Sequence, residues 1–215
     1  MKPLNLDHSL ALPPREYKKE TTKKNLIVLH HTTGGSARST FDWWLTDPKP
    51  IGTAYLVGRS GTIHQVFPTD CWAYHLGYSR RADERRSIGI ELANEGALTH
   101  RGGYLYCFDR VSDRTRYRGR VFDLGRVWRG YRYFAAYSPA QIRATIKLVN
   151  SLLGLFPIPP VLPRGVRSGR VVRFKLQHRL RQGILAHAHV RADKTDVHPG
   201  FPWDRLVSEL KLQRI

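Results

Sequence analysis

LIVLHHTT, residues Leu26–Thr33, is the segment on which the architecture depends. Its first four residues are apolar and rich in β-forming side chains, which is typical of a short buried strand. The apolar run ends in His30 and His31, so the chain leaves the core with two imidazoles at the strand end. Gly34, Gly35 and Ser36 follow as a turn with a helix N-cap signal. The segment therefore predicts a strand, a polar strand end and then a helix.

Other apolar segments of strand length lie on both sides of this one: Ile51–Gly58, Thr62–Phe67, Ser87–Ala93 and Gly183–His187. The first two flank Arg59-Ser60-Gly61, a turn that predicts a β-hairpin. Helices are predicted around Phe41–Leu45, behind the Ser138-Pro139 N-cap, and over Pro202–Leu212. Strands interspersed with helices predict an α/β (mixed α+β) domain with a single central mixed β-sheet flanked by helices.

Residues 94–137 differ from the rest of the chain in being rich in Gly, Arg and Tyr. Alternating polar and apolar residues at Tyr104–Asp109 and Arg118–Leu124 predict a hairpin-containing insertion after the strand that carries Glu91. Residues 1–24 are polar and charged and contain prolines, which predicts an N-terminal arm. Residues 25–215 then form one domain, a length that accommodates a sizeable core.

Charge is the outstanding feature of the composition. In 215 residues, 36 Lys and Arg against 17 Asp and Glu give a formal net charge of +19. Such an excess predicts a polyanionic partner, either nucleic acid or an anionic cell surface. The two cysteines, Cys71 and Cys107, exclude a disulfide scaffold, and we expect two free thiols.

The chain shows neither a membrane-spanning apolar run nor, at its N-terminus, an apolar run of signal-peptide length. We therefore expect synthesis in the cytoplasm without Sec-type export.

Histidines at strand ends are the first indication of chemistry. His30 and His187 each end an apolar strand, and the sequence after His187 adds His189, Lys194 and Asp196 within nine residues. Two histidines, one aspartate and an open fourth position make a catalytic zinc arrangement. A structural zinc site would favour four protein ligands rich in cysteine, which this chain hardly has.

Glu91 lies inside the apolar segment SIGIELA. Carboxylates are seldom buried without a partner, so Glu91 is either an edge-strand residue facing water or a proton acceptor beside a metal-bound water. Lys194 would in the second case be a cation placed to stabilise an oxyanion, although it is one of many basic residues.

Five blocks occur in one order along the chain: Leu26–Thr33 (LIVLHHTT), Ile51–Thr62 (IGTAYLVGRSGT), Gln65–Gly77 (QVFPTDCWAYHLG), Ser87–Asn94 (SIGIELAN) and Ile184–Trp203. In this order they resemble the zinc-dependent N-acetylmuramoyl-L-alanine amidases of the type-2 family, relatives of T7-type lysozyme and the peptidoglycan recognition proteins. The resemblance covers about residues 25–205 and implies a catalytic domain of that fold.

The resemblance implies a role for each matching position. His30, His187 and Asp196 match the zinc ligands, and Glu91 matches the acidic residue that activates the zinc-bound water. Lys194 matches a lysine two residues ahead of the third ligand.

The same resemblance implies that Trp72, His75, Thr53 and Asn94 lie along the substrate groove. The chain departs from the family where Gly-His-Ser-Asp is replaced by Ala186-His187-Ala188-His189, and where Val197-His198 precedes Pro199. His189 and His198 therefore remain alternative ligands.

The implied activity is zinc-dependent hydrolysis of the amide between N-acetylmuramic acid and L-alanine, in a phage or prophage endolysin acting at the cell wall after release. A cytoplasmic recycling amidase, a non-catalytic peptidoglycan-binding module and a basic nucleic-acid-binding protein are the alternatives. We expect a monomer without a transmembrane segment whose partners are peptidoglycan and anionic wall or outer-membrane polymers, with no specific nucleic acid. The Arg-rich stretch Arg101–Arg132 is either a wall-contacting surface or a merely solvated face.

Overall fold

The computed structural model describes residues 4–77, 81–108, 115–171 and 182–215. In these ranges the chain forms the strands β1 Leu6–Asp7, β2 Leu26–His31, β3 Tyr55–Val57, β4 Ile63–Gln65, β5 Ser87–Leu92, β6 Ala97–Arg101, β7 Tyr104–Cys107, β8 Thr115–Arg116, β9 Val121–Trp128, β10 Tyr131–Ala135, β11 Val161–Leu162, β12 Gly183–Ala186 and β13 Gln213–Arg214. The helices are α1 Ala37–Trp44, α2 Arg81–Arg86, α3 Pro139–Leu155, α4 His187–Val190 and α5 Trp203–Leu210.

A six-stranded mixed sheet in the order β1-β4-β3-β5-β2-β12 forms the centre of the domain, as the sequence predicted. The four strands β3, β5, β2 and β12 run parallel to one another. Parallel strands bring their carboxyl ends to one edge of a sheet, so β2, β5 and β12 deliver the residues that follow them to the same place.

The predicted hairpin is confirmed by the antiparallel pairing of β3 with β4. Its turn requires Gly61, which has a φ of +92° and lies so close to α3 that a Cβ atom would stand 2.9 Å from the carbonyl oxygen of Ala140. Any other residue would therefore be strained and would also collide with the helix.

Both faces of β2 are covered. Ile27 and Leu29 belong to the main hydrophobic core with α1, α3 and α5, whereas Leu26 and Val28 pack with Leu76 in a smaller cluster on the opposite face. Because successive side chains of a strand point to opposite faces, an unbroken apolar run is what a doubly covered strand needs.

The long helix α3 begins where the sequence predicted. The Ser138 hydroxyl accepts a hydrogen bond of 3.0 Å from the backbone N–H of Gln141, and Pro139 occupies the first helical position. The buried Gln141 side chain donates to the carbonyl oxygens of Val57 and Ala93 and so ties α3 to the central sheet.

The segment predicted to be a hairpin-containing insertion does contain hairpins, formed by β6 with β7 and by β9 with β10. Together with β8 these strands form a second, antiparallel sheet of five strands in the order β8-β7-β6-β10-β9, which the sequence did not predict. Asp109, the end of one predicted segment, lies outside the described residues. The boundaries at residues 24, 94 and 137 stay predictions.

Several predicted elements are shorter than expected, including the two hairpin strands, which are confined to Tyr55–Val57 and Ile63–Gln65. The strand Gly183–His187 ends at Ala186, and His187 instead begins α4. The last helix ends at Leu210, because Lys211 adopts a left-handed conformation with a φ of +52°. Both cysteines are free thiols. In the described ranges, none of the helices combines the length and apolar character needed to cross a bilayer.

Candidate metal centre

Three side chains meet at the carboxyl edge of the parallel strands. His30 is the fifth residue of β2, His187 follows β12 directly as the first residue of α4, and Asp196 lies in the loop after α4. Nδ1 of His30 lies 3.1 Å from Nδ1 of His187, and each of these nitrogens lies 3.1 Å from Oδ2 of Asp196. The three atoms form an equilateral triangle, and all three residues are buried.

This triangle has the dimensions of a tetrahedral metal site. Zinc bonds of 2.0–2.2 Å at tetrahedral angles place neighbouring ligand atoms about 3.4 Å apart, close to the observed spacing. Within the described part of the chain, these three residues are the group of His, Cys, Asp or Glu side chains that could hold a metal ion.

The two alternative ligands are engaged elsewhere. Nδ1 of His189 accepts a hydrogen bond from the backbone N–H of Ala186. His198 donates from Nε2 to the carbonyl oxygen of Ala135 and stacks between Phe134 and Tyr137. Neither ring belongs to the triangle of His30, His187 and Asp196.

Burial keeps the His30 imidazole uncharged. It lowers the pKa of His30 to about 4, so the imidazole is neutral at pH 7. Burial likewise holds the pKa of His75 well below its usual range. A metal binds only the neutral form of histidine, so His30, the one of these two rings that belongs to the triangle, is in the form that a metal requires.

Glu91 lies beside His30 because the two residues are register partners in the parallel pair β2–β5. Burial, with a smaller contribution from the negative charge of Asp196, raises the pKa of Glu91 well above its usual range. A carboxylate with a raised pKa is a better proton acceptor, which is the property that general-base chemistry requires.

A cleft of about 560 Å³ opens over the triangle. Glu91, Lys194, His75 and Thr53 are among the residues that line it, together with the three that form the triangle. Lys194 is partly exposed, and its Nζ lies 3.9 Å from a carboxylate oxygen of Asp193. The structure thus brings together seven of the nine site residues that the sequence singled out.

The other two, Trp72 and Asn94, do not line this cleft. Trp72 is 1% exposed, and its indole N–H donates to Glu20 of the N-terminal arm. Asn94 is fully buried and donates to the carbonyl oxygen of Ala135. Both side chains make contacts inside the domain instead. The cleft lies at the ends of the strands, and membership of a sequence block that contains a cleft residue does not place a side chain there.

Two exposed aromatic residues of the cleft were missed by the sequence analysis. Trp43 is 45% exposed and Phe108 is 44% exposed, and both line the cleft. Trp43 lies off the buried face of α1, which is formed by Phe41 and Trp44. Its position in the sequence could have revealed it, because Trp43 lies on the solvent-facing side of an amphipathic helix that directly follows a polar strand end.

Fold and site together define an α+β protein with a cleft and a candidate metal site at the edge of its central sheet. Residues 20–201 match the sequence model of the N-acetylmuramoyl-L-alanine amidase family. This match spans most of the chain, and the chain belongs to that family.

A curated relative is N-acetylmuramoyl-L-alanine amidase AmiD of Escherichia coli strain K12, which is 26% identical over 199 residues. The alignment covers 86% of this chain and 52% of AmiD, so the chain spans about half the length of this relative.

Solved structures show the same fold. AmiD from E. coli, in complex with the substrate anhydro-N-acetylmuramic acid-L-Ala-D-gamma-Glu-L-Lys, gives a TM-score of 0.57 at 23% identity, over 91% of this chain and 60% of that chain. The structure of PlyL gives a TM-score of 0.56 at 13% identity, over 96% and 97% of the two chains.

Proposed function

We propose that this protein is a zinc-dependent N-acetylmuramoyl-L-alanine amidase that cleaves the bond between the lactyl group of N-acetylmuramic acid and L-alanine in peptidoglycan. The observation that carries the proposal is the triangle of His30, His187 and Asp196, with Glu91 as the register partner of His30. Family membership supports the same activity, as does the substrate named for the AmiD complex.

Zinc is the proposed metal because two imidazoles and one carboxylate suit it, and because three protein ligands beside an open cleft are typical of catalytic zinc sites. When bound, zinc supplies Lewis acidity, which lowers the pKa of a bound water to roughly 7 and polarises a carbonyl group.

The protein's own groups supply the proton transfers and the charge stabilisation. Glu91 accepts the proton of the attacking water on its carboxylate and later delivers it to the departing amine of L-alanine. The ammonium of Lys194 stabilises the negative charge that develops on the carbonyl oxygen, an effect of about 3–4 kcal/mol for one well-placed donor. Trp43 and Phe108 offer apolar surfaces to the substrate on the rim of the cleft.

The reaction is tested by incubating the protein with purified sacculi and with soluble muropeptides, with and without chelator. Mass spectrometry of the released ends should find new N-terminal alanines on intact glycan chains, and only in the samples without chelator. New reducing sugar ends would identify a glycosidase, and binding without release would identify a recognition module. Preference for sacculi over soluble muropeptides supports a lytic, endolysin-like enzyme that acts at the cell wall; the opposite preference supports a recycling enzyme.

We further propose that the sheet β6–β10 binds the anionic polymers of the wall. Among the described residues of this sheet and its connections, seven arginines stand against one acidic residue, Asp123. The arginines are Arg101, Arg116, Arg118, Arg120, Arg126, Arg129 and Arg132. Tyrosine rings contact some of these arginines: the guanidinium of Arg116 lies 3.6 Å from the ring centroid of Tyr104.

This surface is tested by sedimentation with sacculi. A variant with Arg116, Arg118, Arg120 and Arg126 changed to Gln should bind sacculi less than the wild type does. The difference should be largest at low salt, because added ions screen the attraction between arginines and the phosphates or carboxylates of the wall. The variant's rate on soluble muropeptides should be unchanged. A matched variant has four exposed basic residues outside this sheet changed to Gln, Arg143 and Lys147 of α3 and Arg164 and Arg167 after β11, and so has the same net charge as the first variant. Equal loss of binding in both variants would show that net charge matters and the sheet does not.

A further inference from the structure

The segment His75–Gly77 contacts both histidines of the metal triangle. Nδ1 of His75 lies 2.9 Å from Nε2 of His30, and the carbonyl oxygen of Leu76 lies 3.0 Å from Nε2 of His187. In both rings the contact is made by the nitrogen that does not belong to the triangle. One short piece of chain therefore supplies an outer partner to each of the two imidazoles.

The partner of His187 determines where its proton lies. A carbonyl oxygen only accepts hydrogen bonds, so Nε2 of His187 carries the hydrogen and donates it to Leu76. In the neutral ring Nδ1 then presents a lone pair to the triangle.

The partner of His30 leads to the same result through a longer chain of contacts. The Ser87 hydroxyl donates its single hydrogen to the carbonyl oxygen of Glu84 over 3.1 Å, so towards His75 it accepts. Nε2 of His75, 2.8 Å from that hydroxyl, is therefore the donor, and Nδ1 of His75 is an acceptor. Nε2 of His30 must donate to it, which leaves Nδ1 of His30 with a lone pair facing the triangle.

Glu84 holds this segment in place. It is 1% exposed, and its carboxylate accepts hydrogen bonds from the backbone N–H groups of His75, at 2.9 Å, and of Leu76, at 3.1 Å. Its own carbonyl oxygen is the acceptor at the end of the Ser87 contact. The carbonyl oxygen of Glu84 thus fixes the hydroxyl that orients His75 and, through it, His30. The carboxylate of Glu84 fixes the backbone whose carbonyl group faces His187.

We propose that Glu84, Ser87 and the segment His75–Gly77 form a positioning relay that sets both ligand histidines in the Nε2–H form, with Nδ1 aimed at the metal. The relay deepens the proposed function and rests on its metal site. With both tautomers set in this way, Nδ1 of His30, Nδ1 of His187 and Oδ2 of Asp196 each direct a lone pair at the other two from 3.1 Å. The three atoms repel one another unless a cation lies between them. The relay therefore presets the site for a cation before any substrate arrives.

The test separates the two arms of the relay. Ser87→Ala removes the acceptor for His75, so His30 should become a mixture of tautomers while His187 stays in the Nε2–H form; Ser87→Thr keeps the hydroxyl and should restore His30. Glu84→Gln should disturb both rings. Glu16→Gln is the matched control, because Glu16 is also buried but pairs with Arg15 in the N-terminal arm.

Two measurements are made on each variant. Nitrogen NMR of the imidazoles in the metal-free protein reports the tautomers directly. Competition with a chelator reports Zn²⁺ affinity, which should fall 10- to 100-fold in Ser87→Ala and Glu84→Gln and stay at the wild-type value in Ser87→Thr and Glu16→Gln.

The relay is overturned if either ligand ring of the wild-type protein is an Nδ1–H tautomer, or if the two disruptive variants fold and bind Zn²⁺ like the wild type. A wild-type protein with both Nε2–H tautomers that binds no Zn²⁺ would support the relay and overturn the metal in the proposed function. Zn²⁺ binding that responds to the variants, without amidase activity, would support the relay and reject the proposed reaction.

Discussion

Arg129, in the turn between β9 and β10, is hydrogen-bonded to the helix that begins with His187. Its guanidinium donates to the carbonyl oxygen of Ala188 and to that of Arg191, each over 3.1 Å. These carbonyl groups lie in and just after the single turn of α4, where no further helical turn can satisfy them. The insertion therefore braces the element that carries a ligand of the candidate metal site.

Replacing Arg129 with Ala should lower the free energy of unfolding by about 2 kcal/mol, since hydrogen bonds from a charged donor contribute about 1.5–3 kcal/mol. Zn²⁺ affinity should fall as well, because His187 loses its support. Urea titration and chelator competition measure the two effects. Arg126→Ala is the control, because Arg126 is exposed on β9, the strand that ends just before Arg129; equal effects in both variants would contradict the brace.

Glu91→Gln should reduce amidase turnover by at least about 100-fold, because the amide cannot accept the proton of the attacking water. Stability should not fall, since burial already opposes the charged form of Glu91. Sacculus solubilisation and thermal unfolding check the two statements. Wild-type turnover in this variant would remove Glu91 from the mechanism.

Lys194→Met should lower turnover by about 100- to 1,000-fold, the usual cost of losing one oxyanion donor. Zn²⁺ stoichiometry should remain that of the wild type, because Lys194 lines the cleft without belonging to the ligand triangle. Steady-state kinetics and metal analysis on the same preparation test this prediction. A loss of zinc together with activity would show that Lys194 supports the site rather than the reaction.

Metal removal should destabilise the folded protein. At a free metal concentration one hundred times Kd, binding to the native state alone contributes about 2.7 kcal/mol, which a chelator removes. Thermal unfolding with chelator, and again after Zn²⁺ is restored, should show a reversible shift. His187→Ala lacks one ligand and should show little shift; a full shift in that variant would place the metal elsewhere.

Stability should rise with pH between about 8 and 10.5 through Lys24. Its ammonium is fully buried and donates to the carbonyl oxygens of Cys71 and Arg85, and burial lowers its pKa from 10.5 to about 8. In this window the unfolded chain binds the proton and the folded one does not, so deprotonation favours folding. Below pH 8 Lys24 is charged in both the folded and the unfolded protein, so the free energy of unfolding is lowered by the full cost of burying the ammonium.

The comparison variant is Lys24→Met, which has nothing to titrate at this position. The difference in unfolding free energy between wild type and variant should change by up to about 3 kcal/mol across the window, at 1.36 kcal/mol per pKa unit. Urea titrations at pH 7.5, 9 and 10.5 measure it. Parallel curves for the two proteins would contradict the shifted pKa.

Local signals in the sequence predicted local structure well. The Arg59–Gly61 turn, the Ser138 cap and the apolar run before His30 each depend on neighbouring residues, and each is confirmed. The five-stranded sheet of the insertion was not foreseen, because its strands are half exposed and carry arginines in place of an apolar pattern. Trp72 was placed in the groove because it shares a sequence block with His75, yet the two side chains point to different surroundings.

The sequence by itself determined which elements form and which chemical groups are available at their ends. Alternation, caps and turns act over a few residues, so the chain alone specifies them. Only the tertiary structure decided that His30 and His187, 157 residues apart, meet at 3.1 Å. That meeting depends on the parallel register of β12 on β2, and the direction of each imidazole depends on Leu76 and His75, which arrive from another part of the chain. Hydrogen bonds and metal coordination act over about 3 Å, so they are settled only once the core has packed.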